Sequence, residues 1–263
     1  MTPYYPILDA PYCSGETTVH NFPPNNWEIS NRNHKNLYVS FIEDNFWVNN
    51  KIDEIPFGKS KTIKSEDVNS ITQSSSIKII SLSSNIFPEK SRSIPKLIHS
   101  STSTPLSRAT LSLVSDKAST CYQGEIVPFP ERATLLSFSP FLQFHKGVEN
   151  FLILLNFESN AQIRKGHLEI FDGRNNHLKE TVEILSNTVN IISLNDINFG
   201  EESFPVFTSK DMASIPIYLS TYNQGSQMNI EHTHPPGSFA IHGNRFAVQK
   251  EIKRFWFDRL KVK

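Results

Sequence analysis

"NIEHTHPPGSFAIHGNRFAVQK", from Asn229 to Lys250, holds three of the nine histidines of this 263-residue chain. In a β-strand, residues two apart share a face and stand roughly 7 Å apart. His232 and His234 can therefore offer two imidazoles to one ion. His242 can complete a tripod if the chain returns after the turn "PPGS". Three histidines with an open water position are the donor set of a catalytic zinc centre. The expected metal is zinc, iron or manganese, with Glu231 on the opposite face as an acid–base group. The same histidines also suit a structural role. Pro235 and Pro236 end a ladder, and imidazoles at a strand end hydrogen-bond the backbone.

Two families share fragments of this spelling. "HTHP" at His232 resembles the His-x-His-Pro core of JAMM metalloproteases, whose ligand aspartate would fall at Arg245. That family's serine is not in place either, since Ser238 comes too early. "HTH" is similar to the first metal box of cupins, which brings a glutamate three or four residues later. Here Gly237 and Ser238 stand near that place, and no cupin glycine box follows. Each resemblance covers a handful of residues and lacks a ligand, so neither family is adopted.

Other chemistry is sparser. The chain has no phosphate-gripping glycine loop, no G-x-S-x-G elbow, no H-E-x-x-H and no C-x-x-C. Cys13 and Cys121 sit in the similar contexts "CSGE" and "CYQGE", which points to packing rather than nucleophilic roles. "FPPNNWE" sets Trp27 beside Asn25, Asn26 and Glu28, and Tyr222 stands beside Asn223 and Gln224. An aromatic face with neighbouring amides is what a sugar ring requires. Trp27, Asn26, Tyr222 and Asn223 are therefore candidate ligand contacts, with core-edge packing and turn formation as the alternative.

The elements that must position these residues are strands. "LYVSFI", "IKIISL", "FLILLNF", "HLEIFD", "TVEIL", "VNIISL", "FPVFTS" and "IPIYLST" are short and rich in Ile, Val, Phe and Tyr, and turn residues bound them. Four blocks recur in order, roughly 110 residues apart, which is the mark of a tandem repeat. They pair "CSGE" with "CYQGE", "NLYVSFIEDN" with "NFLILLNFESN", "IKIISLSSNIF" with "VNIISLNDINF", and "IPKLIHS" with "FPVFTSK". The expected fold is all-β: two tandem antiparallel β-sandwich modules, jelly-roll or Ig-like, over residues 1–119 and 120–263. In the tail, Ile252, Phe255, Trp256 and Leu260 form one face of a short C-terminal helix. That face should dock on the second module, and the surplus of Lys and Arg around it also suits surface binding.

Lysine plus arginine equals aspartate plus glutamate, at 26 each. Such a balance gives no global field to draw in nucleic acid or anionic lipid. The N-terminus carries no basic and apolar leader, and "FLILL" is far short of the roughly 20 apolar residues that span a bilayer. Two cysteines cannot staple a scaffold. A soluble, cytoplasmic protein is expected. Its first functional reading is a non-catalytic binding or assembly protein for a carbohydrate or protein partner, open to homo-oligomer formation. Its second is a metal-dependent enzyme using the three histidines.

Overall fold

A computed structural model of the chain describes residues 4–21, 34–95, 109–124, 126–139, 142, 144–199, 203–232 and 245–262. Ten elements fill the first half: β1 (Tyr5–Ile7), β2 (Ser14–His20), β3 (Lys35–Glu43), β4 (Phe46–Ile55), β5 (Ser60–Lys64), α1 (Ser65–Ile71), β6 (Lys78–Ser83), β7 (Lys90–Ser91), β8 (Ala109–Val114) and β9 (Ser119–Gln123). Its first sheet runs β1-β6-β3-β4-β7, and its second runs β5-β2-β8-β9. The second half holds β10 (Leu135–Phe138), β11 (Val148–Leu155), β12 (Lys165–Asp172), β13 (Leu178–Leu185), β14 (Val189–Ser193), β15 (Pro205–Ser209), β16 (Ile215–Tyr222), β17 (Gln227–His232) and α2 (Arg245–Leu260). Its sheets are the third, β10-β15-β12-β13, and the fourth, β14-β11-β16-β17. All the strand pairs are antiparallel. The fold is all-β, as the short β-branched runs predict.

The modular expectation needs correction. The sheets do not close as two self-contained sandwiches; they follow one another face to face, in the manner of blades in a four-bladed propeller. Leu37, Val39 and Ile80 of the first sheet meet Val19, Ile63 and Ala109 of the second. Leu152, Leu154 and Tyr218 of the fourth meet Leu168, Ile170 and Phe207 of the third. The largest apolar cluster belongs to both halves, joining Ile42, Trp47 and Ile79 to Leu111, Leu113, Ile153, Ile217 and Leu219. Main-chain hydrogen bonds cross the same seam, from Ile77 N to Asn187 O at 2.7 Å and from Ile94 N to Ser159 O at 2.8 Å. The expected boundary at residues 119 and 120 falls inside β9, which pairs with β8.

The recurring blocks are not equivalent either. "CSGE" leads into β2 and "CYQGE" lies around β9, and these strands flank β8 within one sheet. "NLYVSFIEDN" covers β3 and "NFLILL" belongs to β11. These strands look alike because both are buried over most of their length, which selects the same residues wherever a strand sits. A different correspondence is present in the topology. With β7 set aside, β10-β15-β12-β13 reproduces β1-β6-β3-β4, and β14-β11-β16-β17 reproduces β5-β2-β8-β9. On that count β3 matches β12, and β11 matches β2.

The tail forms the expected helix and packs on the third sheet, though not with the whole expected face. Trp256, Phe257 and Leu260 join Phe171, Val206 and Phe138, with the Trp256 and Phe138 rings edge to face at 4.9 Å. Ile252 and Phe255 remain 49% and 59% exposed. Lys253 Nζ donates to Thr134 O at 2.6 Å and Lys210 Nζ to Val262 O at 2.6 Å, tying the helix and its end to the third sheet. No helix among the described residues is long and apolar enough to cross a membrane.

Candidate functional site

Of the predicted metal ligands, His234 and His242 lie outside the described residues, as do Trp27 and Asn26. His232 ends β17, its main chain opposite Ile217, and Glu231 stands opposite Tyr218. Among the described residues no group of three or more His, Cys, Asp or Glu side chains could hold a metal ion. Tyr222 and Asn223 form the β16–β17 turn, which needs left-handed backbone at Asn223, Gln224 and Gly225 (φ 45°, 54° and 84°). This turn is locked to the first half: Ser115 Oγ donates to Gly225 O at 2.6 Å. Tyr12 on the same seam donates to Glu149 Oε1 at 3.0 Å.

The cysteines separate. Cys13 is buried, its Sγ 2.9 Å from Met228 Sδ, and burial pushes its thiol pKa up. Cys121 is exposed. The packing role holds for Cys13 alone.

The described residues instead offer a cleft that sequence reading missed. It measures about 680 Å³ and lies on the first sheet, between β4, the end of α1 and the loop before β7. A buried polar network holds that loop. The rings of Tyr38 and Phe87 stack at 4.3 Å. The Tyr38 hydroxyl accepts from Phe87 N at 3.2 Å and donates to Asn85 O at 3.4 Å. Asn49 Nδ2 donates to Pro88 O at 2.8 Å while its Oδ1 accepts from Ser40 Oγ at 2.7 Å. Asn49 is buried and both ends of its amide are hydrogen-bonded, which ties the loop at Pro88 to the sheet.

That anchoring leaves Ile86 87% exposed at the rim, facing the same cleft as Ile71, which is 40% exposed. Lys51, Lys90 and Glu89 supply charge, and Asn36 and Asn50 supply amides. Mixed apolar and amide walls can seat a polymer chain, whether peptide or sugar, without doing chemistry on it. The signal in the sequence was "SSNIFPEK", an isoleucine and a phenylalanine set in a polar loop just before a proline. Only the Tyr38–Phe87 stack shows which of the two is anchor and which is offered outward.

No protein-family model matches the chain, and neither does a curated protein or a solved structure.

Proposed function

We propose that this chain is a non-catalytic binding or assembly protein that holds a protein or glycan partner on a rigid β scaffold. The observation that carries the reading is the cleft beside β4, with polar groups fixed beneath it and isoleucines left at its rim. We also propose that the scaffold is a tandem repeat of one eight-stranded unit, an idea supported by the matching strand orders. Rigid sheets carrying adaptable loops and edges are a common basis for recognition.

The test is threefold, on the purified full chain: a glycan panel, sedimentation over a range of concentrations, and elemental analysis. Saturable glycan binding or concentration-dependent mass, with metal far below one equivalent, is the expected result. Near-stoichiometric zinc, iron or manganese would overturn it and favour catalysis through His232, His234 and His242, with Glu231 as acid–base.

A further inference from the structure

We infer that the cleft receives an extended, acidic peptide segment, which adds a strand to the free edge of β4; this rests on the binding reading above. β4 pairs with β3 from Glu43↔Phe46 to Lys35↔Ile55, with a bulge that leaves Ile52 without a partner on β3. On its other side β7 pairs only with Trp47 and Val48. One further bond, Asn49 N to Glu89 O at 2.8 Å, continues that line. Then Pro88 takes the chain away, as a residue without an N–H must at a ladder's end. On that side, from Asn50 to Glu54, β4 has no strand beside it among the described residues.

An open edge is a template for another extended chain, and strand addition uses main-chain bonds for affinity and side-chain pockets for selectivity. The cleft spans the outer face of β3 and β4 and reaches the open stretch of β4 at Asn50, Lys51 and Ile52. Four residues opposite Asn50 to Asp53 would cover about 13 Å at the usual strand rise. Ile52, Ile71 and Ile86 then take apolar side chains, and Lys90, with Lys51 (3.6 Å from Glu54), takes carboxylates. Two lysines face a single carboxylate, that of Glu89, in the lining, so an incoming segment of alternating apolar and acidic residues fits better than a basic one. An oligosaccharide would use the amides of Asn36 and Asn50 but would leave both the strand edge and the lysines unmatched.

The probe is an acetylated, fluorescein-labelled nonapeptide of alternating Val and Glu, titrated against the full chain by anisotropy. Three comparison probes are the same peptide with Lys for Glu, the Val–Glu peptide with alternate amides N-methylated, and chitohexaose. The Val–Glu peptide should bind saturably, and the Lys and N-methylated peptides at least tenfold more weakly. Ile86→Asp, at a side chain already in water, should weaken binding at least tenfold with an unchanged circular dichroism spectrum. Lys90→Glu should shift preference towards the Lys peptide. Equal binding of acidic and basic peptides, indifference to N-methylation, or indifference to Ile86→Asp would overturn strand addition. Chitohexaose binding without peptide binding would also overturn it, yet would leave the binding function standing. Silence of every probe together with stoichiometric metal would remove both.

Discussion

The second and fourth sheets occupy the same place in the strand order of their halves, yet they meet opposite surroundings. In the fourth sheet, the face turned from the third carries Ile153, Ile217 and Leu219, all 0% exposed in the largest cluster. In the second sheet, Thr17 and Val19 of β2 are buried, while Ser14 between the same strands' neighbours lies open to water. Hydroxyls link the strands on that open side: Thr18 Oγ1 lies 2.8 Å from Thr62 Oγ1, and Ser60 Oγ lies 2.7 Å from His20 Nδ1. Strand order decides which strands pair. The side chains on the outer face decide whether a sheet ends the molecule or becomes an internal layer.

Substitutions can break this comparison. Ile153→Asp places an unpaired charge in the seam and should cost about 4 kcal/mol or more. Thr62→Asp, on the open face, should stay within about 0.5 kcal/mol of the parent. Urea unfolding midpoints measure both, and near-equal midpoints would show that the seam is no core.

Two aspartates extend the contrast to acid. Asp172 is buried; burial raises its pKa. The Ser203 hydroxyl, the N–H groups of Arg174 and Asn175, and Lys179 outweigh that and bring it below the usual carboxylate value. Asp53 is likewise lowered, chiefly by its bond from Lys61, but it stands at the surface. A carboxylate whose native pKa is depressed adds stability above its unfolded value, about 3.9, which is lost as pH falls towards the native one. Asp172→Asn should cost about 1–3 kcal/mol at neutral pH and flatten the acid limb of the stability curve. Asp53→Asn, at an exposed and solvent-screened site, should flatten that limb much less. Matching curves for the two variants would contradict the buried assignment.

The smallest effect tests the seam as a joint. Trp47 donates Nε1–H to Ser159 O at 3.0 Å and meets the Phe157 ring edge-on at 5.7 Å. Trp47→Phe should cost about 1–2 kcal/mol and retain one cooperative transition. Two separate transitions would mean that each half carries its own core.

Particular residues show how much was legible beforehand. "FLILL" announced a strand buried on both faces, and β11 is one. "VQKEIKRFWFDRL" announced a helix, and Trp256 and Leu260 dock as periodicity requires. Ile252 and Phe255 did not follow, because a helix has several semi-apolar faces and the sheet beneath chooses among them. The blocks that looked alike in sequence fall on strands at different places in the sheets. Apolar vocabulary reports burial, whereas the place of a strand is set by its pairing. The cleft was invisible because its walls come from β3, β4, α1 and a loop, separated along the chain.

The sequence by itself determined that the chain would be strands with one terminal helix, since period, β-branching and turn residues act over a few neighbours. Tertiary structure alone decided which strands pair, which outer face is covered, and which strand edge is left open. Those outcomes depend on contacts between residues far apart in the chain, such as the bond from Ile77 N to Asn187 O, and no local pattern encodes them.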